Sequence, residues 1–526
     1  MAPKLPIIDF EPVGRRVTAQ PGETILEAAQ RAGIGLVALC GGHGTCGRCI
    51  VQLRAGELTP PNPVEEKKLT PEQLSQGYRL ACQSKALGDV RLYVPPSSLT
   101  ATQRAQIEGR ERYVEFDPIV RTLRLSIPRP TLEDPRADAK RLKDACAEAL
   151  GRPIEGEVDF ALLRLLPALL RENKWEIKAS VRQSDAGQEI VALLPPDQIS
   201  LGLAVDLGTT KVAGYLVNME TGETLGAKGI MNPQISYGED VMARITVALE
   251  SPDKAETLRR VIVEGISELA REMCEAAGVS PGQIVDAVIV GNTAMHHLFL
   301  GLPVEQLGRA PYVAATSDPL DIKAREIGLD FAAGAYVHLL PNIAGFVGAD
   351  HVAMLLSTGI GAMPAGEVWV GMDIGTNTEI ALAAKGRLLT CSTASGPAFE
   401  GAHIKYGMRA APGAIEVVKL SNGDLQISTI DNQPAVGICG SGILDAVAEL
   451  YRAGILNSRG AMQDGPRVRP AGDGRGKEYL LVPAEENALD EDITVSRKDV
   501  SEIQLAKGAI RAGLNILLSE AGLTAG

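Results

Sequence analysis

Four cysteines in the first part of the chain have a spacing that suits metal chemistry. Cys40, Cys46 and Cys49 form a C-x5-C-x2-C pattern in the stretch CGGHGTCGRC, and Cys82 follows further along the chain. Four thiolates are the ligand set of a [2Fe–2S] cluster, and the plant-type arrangement takes three of them from one loop and the fourth from a distant position. The spacing therefore predicts a [2Fe–2S] cluster held by these four side chains.

Glycines fill the space between the three clustered cysteines, at positions 41, 42, 44 and 47. Without β-carbons such a loop can curl around a cluster and direct backbone N–H groups at sulfur, and these contacts tune the reduction potential. The alternative is a zinc site, although zinc loops usually carry paired C-x2-C units. His43 could replace a ligand as in Rieske centres, but with four cysteines available it is expected to be a loop residue. The remaining cysteines are expected to be core or loop residues, namely Cys146, Cys274, Cys391 and Cys439.

A second feature is an internal repeat. The stretch AVDLGTTKVAGYLVNMETGETL (204–225) resembles VGMDIGTNTEIALAAKGRLL (370–389), and each copy reads as strand, Asp-x-Gly-Thr turn, strand, short turn and strand. A Gly-Thr turn presents backbone N–H groups and hydroxyls to phosphate oxygens, and the preceding aspartate can hold Mg²⁺ directly or through water. Two such hairpins predict a cleft that grips phosphates from both sides, whose closure couples nucleotide state to domain angle.

The elements that must position these residues fall into four regions. Residues 1–97 combine short strands with a helix over 24–32, and a polar linker is expected over 98–112. Residues 113–197 predict a small α+β domain with helices at 136–150 and 160–173 and strands at 175–182 and 189–194. Residues 198–526 alternate strands with amphipathic helices and predict an α/β domain with two subdomains, about 198–365 and 366–526.

Composition narrows the classes of function. The chain has 526 residues, enough for three or four domains, and a net charge of −13, which argues against general nucleic-acid or anionic-membrane binding. No apolar run reaches the ~18 residues of a membrane span, and the first residues lack the apolar stretch of a signal peptide. A cytoplasmic protein without nucleic-acid or membrane partners is therefore expected, and its thiols are expected to stay reduced.

The paired hairpins resemble those of the superfamily that includes actin, sugar and acetate kinases and heat-shock chaperones. By that resemblance the first phosphate element is formed by Asp206, Gly208, Thr209, Thr210 and Lys211. The second is formed by Asp373, Gly375, Thr376, Asn377 and Thr378. The stretch GICGSGILDAVAEL (437–450) resembles a later nucleotide-contacting loop, with Gly440, Ser441 and Gly442 opening a helix; the alternative is that these glycines serve only close packing. In GNTAMHHLFLGLP (291–303), His296 and His297 are expected to be packed or capping residues.

Residues 1–97 resemble a ferredoxin β-grasp domain, down to LACQSKALGDVRLYVPP, with the longer first spacing of the adrenodoxin-like variant. Together with VDLGTTKVAGYLV, NPQISYGEDVMARI, MDIGTNTEIAL and ASGPAFEGAHIKYGMRAAPGAIE, the chain resembles the reductive activators of corrinoid proteins nearly end to end. The resemblance implies a multidomain α+β and α/β protein: a β-grasp ferredoxin, a small α+β middle domain and a duplicated ribonuclease-H-like (actin/sugar-kinase-like) ATPase fold.

The same resemblance implies the function. The protein would use its cluster, ATP and Mg²⁺ to return an inactive Co(II) corrinoid protein of a methyltransferase system to Co(I), with an upstream electron donor and a homodimer through the C-terminal half. The chain ends where relatives continue into a further strand and a Gly-Gly-Phe-Gly-like loop, so the usual C-terminal end is expected to be missing. Catalytic residues are not identified. The alternatives are a ferredoxin-like electron carrier with a non-catalytic docking domain, and a metabolite kinase with an accessory redox domain.

Overall fold

The computed structural model describes most of the chain in two units. The described residues are 5–11, 15–32, 34, 36–38, 40–95, 98, 114–154, 156, 158–184, 187–238, 240–364, 366–401, 403–408, 410–421, 423–472, 474, 476–489 and 491–524. One unit comprises Met1–Thr100 and Ala105–Ala353, and the other Ala101–Arg104 and Met354–Gly526. Apart from Ser98, the expected linker over 98–112 lies outside the described residues, as do the last two residues of the chain.

The first domain is a five-stranded sheet covered by short helices. Its strands are β1 (Ile7–Glu11), β2 (Arg15–Thr18), β3 (Ile50–Ala55), β4 (Tyr78–Leu80) and β5 (Val90–Tyr93). Its helices are α1 (Ile25–Arg31), α2 (Pro63–Lys68) and α3 (Pro71–Ser75). The strand order is β2-β1-β5-β3-β4, with β1 and β5 parallel and the other neighbours antiparallel. The cysteine-rich loop lies between α1 and β3.

Helix α1 begins where the sequence predicts. The Thr24 hydroxyl accepts from the Glu27 backbone N–H, and the Glu27 carboxylate accepts from the Thr24 backbone N–H, which is a complete capping box. The helix buries Ile25, Leu26, Ala28 and Ala29 against the sheet.

The second domain packs two helices on a three-stranded antiparallel sheet. Its elements are β6 (Val120–Ser126), α4 (Asp138–Leu150), α5 (Phe160–Glu172), β7 (Glu176–Ser184) and β8 (Gly187–Leu194), with sheet order β6-β7-β8. The two helices and the last two strands are those that the sequence predicts. Strand β6 is not among the predictions, because only Val120 and Leu125 of its seven residues are fully buried and arginines interrupt the pattern.

The remainder of the first unit is one six-stranded sheet with helices. Its strands are β9 (Leu201–Leu207), β10 (Lys211–Asn218), β11 (Thr224–Met231), β12 (Ile284–Gly291), β13 (Leu320–Lys323) and β14 (Tyr336–Leu339). Its helices are α6 (Val241–Glu250), α7 (Pro252–Ala276), α8 (Thr293–Leu300), α9 (Ala324–Ile327) and the start of α10 (Ala349–Thr358). The predicted apolar stripe of α7 is buried, namely Leu258, Ile262, Ile266, Leu269 and Met273. The sheet order is β11-β10-β9-β12-β14-β13, and β9 is parallel to β12.

The second unit repeats the first three strands of that sheet. The copies are β15 (Trp369–Ile374), β16 (Thr378–Ala384) and β17 (Arg387–Thr393), in the order β15-β16-β17. The elements that follow are β18 (Ala414–Ser421), β19 (Asp424–Thr429), β20 (Gly437–Ile438), α11 (Gly440–Arg452), β21 (Val468–Pro470), β22 (Lys477–Val482), β23 (Ile493–Ser496) and α12 (Arg497–Glu520). No helix among the described residues combines the length and the apolar content needed to span a bilayer.

Candidate functional site

The four predicted cysteine ligands lie together as two pairs. Cys46 is hydrogen-bonded through its side chain to Cys40, and Cys49 is likewise bonded to Cys82. The two pairs also interact electrostatically: the charge of Cys40 raises the pKa of Cys82, and that of Cys46 raises the pKa of Cys49. The loop between α1 and β3 therefore contributes three thiols, and Cys82, two residues after the end of β4, contributes the fourth.

Each pair contains one thiol that readily becomes a thiolate. The hydrogen bond from Cys46 lowers the pKa of Cys40, and the same bond raises the pKa of Cys46. In the second pair the bond with Cys49 lowers the pKa of Cys82 and raises that of Cys49. Metal ligation requires thiolates, and a metal removes the remaining protons when it binds.

The glycines of the loop have the conformation that a tight curl requires. All four have positive φ angles, which is backbone geometry that favours glycine: Gly41, Gly42, Gly44 and Gly47. A β-carbon on Gly44 would lie 2.7 Å from Val64 Cγ1 and 2.9 Å from Gln83 Nε2. The loop thus lies against α2 and the Cys82 segment, and a larger residue at Gly44 would have to displace these side chains and adopt a strained positive φ angle.

A buried ion pair holds the strand that leads to Cys82. Arg79 donates to Glu65 through Nε (2.9 Å to Oε1) and Nη2 (2.7 Å to Oε2), and Glu65 Oε1 also accepts from the Leu80 backbone N–H at 3.0 Å. Glu65 is fully buried and Arg79 is nearly so. The pair is bidentate, which fixes β4 against α2 with defined geometry.

Gln83 is a further residue beside the thiols that the sequence alone does not indicate. Its Nε2 lies 3.5 Å from Cys82 Sγ and 3.3 Å from the Gly42 carbonyl oxygen, and its Oε1 accepts from Asn62 Nδ2 at 3.1 Å. The side chain bridges the two parts of the cysteine site and brings an N–H group to one sulfur. Such contacts tune the potential of an iron–sulfur centre.

The donor set fits a [2Fe–2S] cluster. The four thiols would supply the ligands that the two irons of such a cluster need, within a glycine loop that can curl around it. Across the described part of the chain, no three histidine, cysteine, aspartate or glutamate side chains are grouped as ligands of a single metal ion, and the thiols instead lie as two pairs. His43 is exposed, with Nε2 at 3.5 Å from Glu250 Oε1.

The first predicted phosphate element is the turn between β9 and β10. Asp206 is exposed near the end of β9, Gly208–Thr210 form the turn, and Lys211 begins β10. A β-carbon on Gly208 would lie 2.6 Å from the Lys211 carbonyl oxygen, so the turn is tight. Because β9 and β12 are parallel and Asp206 is in register with Val290, the turn lies at the carboxyl edge of the sheet, where α/β folds bind ligands.

Three residues that the sequence analysis does not single out hold this turn. Asn232 Nδ2 donates to the Gly208 carbonyl oxygen at 2.8 Å, and Asn292 Nδ2 donates to Thr209 Oγ1 at 2.8 Å. The Arg244 guanidinium donates to the Thr209 carbonyl oxygen and is fully buried. The available sequence signal is that Asn232 and Asn292 each precede a helical segment as a capping residue.

The second predicted element is the turn between β15 and β16. Asp373 is exposed, and the Gly375 backbone N–H donates to the Asn377 carbonyl oxygen at 3.0 Å. Thr376 Oγ1 donates to Glu400 Oε1 at 2.6 Å. Thr378 is buried, and its hydroxyl lies 2.8 Å from Ser395 Oγ, so this residue supports the turn from within.

The turn Pro397–Glu400 connects this hairpin to the predicted third loop. Its Glu400 bonds Thr376, and a β-carbon on Gly440 would lie 2.0 Å from the Phe399 carbonyl oxygen. Gly442 is equally crowded, with the Ile415 carbonyl oxygen at 2.0 Å from the β-carbon position. Gly440, Ser441 and Gly442 open α11 as expected, and both glycines have a packing role here whether or not the loop contacts a nucleotide.

The predicted non-ligand residues are packed. His297 Nδ1 lies 2.7 Å from the Thr293 carbonyl oxygen, and its Nε2 accepts from the Ala315 backbone N–H at 2.9 Å. Burial lowers the pKa of His296 to about 4. Of the four scattered cysteines, Cys146, Cys274 and Cys439 are buried and Cys391 is half-buried.

Family models match almost the whole chain. In chain order they are a 2Fe-2S iron-sulfur cluster binding domain (8–87), the RACo linker region (109–199), the RACo middle region (201–362) and the C-terminal domain of RACo, the ASKHA domain (367–526).

Individual relatives point the same way. The corrinoid activation enzyme RamQ of Eubacterium limosum is 31% identical over 503 residues, covering 93% of this chain and 79% of the relative. A [Co(II) methylated amine-specific corrinoid protein] reductase of Methanosarcina barkeri is 28% identical over 353 residues, covering 61% of this chain and 60% of the relative. A solved reductive activator for a corrinoid, iron-sulfur protein is 34% identical with a TM-score of 0.69, covering 99% of this chain and 84% of that one. The expected fold class is confirmed.

Proposed function

The chain belongs to the RACo family of reductive activators of corrinoid proteins, and on that premise we propose that it uses ATP to reduce a corrinoid protein from Co(II) to Co(I). It is an activase of the oxidoreductase type with a 2Fe-2S-binding domain. The finer assignment depends on one observation: two thiol pairs suited to an electron carrier lie in a chain that also has two Asp-x-Gly-Thr hairpins.

The electron balance is simple. When bound, a [2Fe–2S] cluster supplies one electron at a time, so one reduced domain converts one Co(II) centre to Co(I) and is left oxidised by one electron. An upstream one-electron donor then restores the reduced domain. Cys40, Cys46, Cys49 and Cys82 would hold the irons, and Gln83 directs its Nε2–H group at the Cys82 sulfur.

The nucleotide would supply the energy. A shortfall of about 200 mV for one electron corresponds to about 4–5 kcal/mol, since ~59 mV is a tenfold change in equilibrium for a one-electron step. The exposed carboxylates of Asp206 and Asp373 are placed at strand ends where they can hold Mg²⁺, directly or through water. The backbone N–H groups of the two turns would bind phosphate oxygens, and Lys211 would add a positive charge.

The partner that this function requires is a corrinoid protein of a methyltransferase system. The name of the RamQ relative refers to corrinoid activation, and that of the Methanosarcina relative to the reduction of a corrinoid protein. A homodimer through the C-terminal half and a cytoplasmic location are further parts of the proposal.

The test is a visible-absorption assay under anaerobic conditions. Reduced protein, Mg-ATP and a Co(II) corrinoid protein should produce the Co(I) absorption bands, and Asp206→Asn should slow their appearance whereas Asp197→Asn, an exposed aspartate away from the turns, should not. Equal rates with and without ATP would remove the ATP dependence. No Co(I) from a fully reduced protein would remove the activity itself.

A further inference from the structure

One short segment of the chain touches both predicted sites. Residues 232–250, called here the coupling segment, comprise a single-turn helix (Pro233–Tyr237) and α6, and residue 239 within it lies outside the described residues. Two of its residues, Asn232 and Arg244, bond the phosphate turn after β9 and are called here its inner end. Its residues that face the ferredoxin domain are called its outer end, whatever their order along the chain: Ser236, Tyr237, Val247 and Glu250. Both sets of contacts lie within the first unit.

The inner end grips the backbone of the phosphate turn. Asn232 donates to the Gly208 carbonyl oxygen at 2.8 Å, and its own backbone N–H donates to the Thr210 carbonyl oxygen at 3.0 Å. The Arg244 guanidinium donates a further hydrogen bond, to the Thr209 carbonyl oxygen. All three residues of the turn are thus fixed by this segment, and any movement of the turn toward bound phosphates displaces these partners.

The segment is internally braced, so displacement at one end reaches the other. Arg244 Nε donates to the Gly238 carbonyl oxygen at 2.8 Å, and its Nη1 donates to Gln234 Oε1 at 3.3 Å. Asn232 Oδ1 accepts from the Gln234 backbone N–H at 2.9 Å and caps the single-turn helix. Buried hydrogen-bonded networks of this kind hold one geometry.

The outer end presses on the cysteine loop. A β-carbon on Gly41, the residue after Cys40, would lie 2.8 Å from the Tyr237 carbonyl oxygen and 3.1 Å from Val247 Cγ2. Nearby, Gln30 Nε2 donates to the Ser236 carbonyl oxygen, and His43 Nε2 lies 3.5 Å from Glu250 Oε1.

The contact is bordered by a cavity. A cavity of about 880 Å³ lies beside it, lined by Gly42 and Cys82 on the ferredoxin side and by charged side chains such as Lys254, Arg260 and Glu264 on the other. Among the described residues, the contacts made by Gln30, Gly41 and His43 border this cavity, so their release would fall within the roughly 5–150-fold range typical of coupling between sites.

We infer that the coupling segment transmits nucleotide occupancy to the cysteine loop: phosphate binding at the turn after β9 shifts the segment and weakens the contacts of its outer end with the ferredoxin domain. The inference rests on the proposed function, because it requires ATP at that turn. Release uncovers the side of the loop that faces Tyr237 and Val247, which the corrinoid partner needs for close approach. Asn232 and Arg244 are positioning residues in this account.

Hydrogen exchange by mass spectrometry on the reconstituted full chain tests the inference. Peptides covering residues 41–47 should exchange at least about 5-fold faster with Mg-ATP than without nucleotide, which corresponds to a coupling of about 1 kcal/mol. In a Gln30→Ala/Glu250→Ala variant the loop should exchange fast whether or not ATP is present. The matched control is Gln52→Ala, because Gln52 also donates to a backbone carbonyl, that of Gln76, but within the ferredoxin domain; its nucleotide response should stay.

Linkage supplies a second readout on the same samples. If ATP weakens the contact, removing the contact must tighten ATP binding by up to the same factor, and calorimetry on the double variant should show this. ATP binding with an unchanged or slower-exchanging loop would overturn the inference and leave the proposed function standing. Failure to bind ATP in calorimetry would overturn both.

Discussion

The ion pair between Glu65 and Arg79 provides a sharp test of how the cysteine site is built. Glu65→Gln keeps the shape of the side chain but removes its charge. Arg79 would then be a buried cation whose side chain is only 7% exposed, with a neutral partner in place of the carboxylate. The Leu80 backbone N–H, two residues before Cys82, would lose a charged acceptor at 3.0 Å.

Glu65→Gln is expected to lower the free energy of unfolding by a large amount for a single substitution. Removing one partner of a buried pair costs about 3–5 kcal/mol, and we expect about 3 kcal/mol here because glutamine still accepts one hydrogen bond. Total stabilities are about 5–15 kcal/mol, so the change is a substantial fraction. A loss of about 3 kcal/mol corresponds to a roughly 150-fold larger equilibrium constant for the opening of β4, at 1.4 kcal/mol for each factor of ten.

Native-state hydrogen exchange measures this opening without requiring reversible unfolding of a cluster-bearing protein. The amides of Tyr78–Leu80 should exchange about 150-fold faster in Glu65→Gln than in the wild type. Glu66→Gln is the matched control, since Glu66 is the exposed neighbour on the same helix and its substitution should change the free energy by less than about 0.5 kcal/mol.

If the β4 amides of Glu65→Gln exchange no faster than those of Glu66→Gln, the buried ion pair does not stabilise β4. A second variant separates charge burial from general damage. In Glu65→Gln/Arg79→Met no buried charge is left unpaired, so the double variant should lose clearly less stability than the two single losses added together. If the two single losses of stability simply add in the double variant, the unpaired buried charge is not the cause of the loss in Glu65→Gln.

Two further predictions concern the other domains. Burial lowers the pKa of His296 to about 4 from about 6.5 in the unfolded chain, so its contribution to stability is complete above pH 6.5 and is lost as the pH falls toward 4. Over that interval, exchange of the α8 amides should show that the wild type loses up to about 3 kcal/mol of stability relative to His296→Leu. Parallel pH curves for the two proteins would contradict the assignment. Gly442→Ala should lower the calorimetric Tm of its unit by about 4–8 °C, because the new β-carbon would meet the Ile415 carbonyl oxygen at 2.0 Å. Gly508 is an exposed helical glycine with open space around it, so the control variant Gly508→Ala should leave Tm unchanged or raise it slightly. Equal effects of the two substitutions would show that Gly442 is not crowded.

Local chemistry made much of the fold predictable. Helix α1 follows from Thr24 and Glu27, which form a capping box three positions apart, and α7 follows from an apolar stripe that recurs every three or four residues. The repeated Asp-x-Gly-Thr turns predict both sets of three antiparallel strands, β9–β11 and β15–β17. Strand β6 escapes such reasoning because its side chains do not alternate cleanly between buried and exposed.

The thiol site is predictable from spacing, but its supports are not. Glu65 and Arg79 are fourteen positions apart in a region of several glutamates, and nothing local marks this pair as buried. The contacts of Asn232 and Arg244 with the phosphate turn depend on how α6 packs, and Gln30 reaches a carbonyl more than 200 positions away. Such pairings are fixed by the tertiary fold, which sequence periodicity does not encode.

We propose that two pairs of cysteine thiolates hold two irons that together exchange one electron. The most direct measurement is electron paramagnetic resonance on anaerobically reconstituted protein, with iron and sulfide analysis. After reduction with dithionite the wild type and Cys146→Ser should show one rhombic signal of about one spin per chain, and Cys49→Ser should lose or alter it. A colourless, iron-free wild-type protein that resists reconstitution would contradict the account.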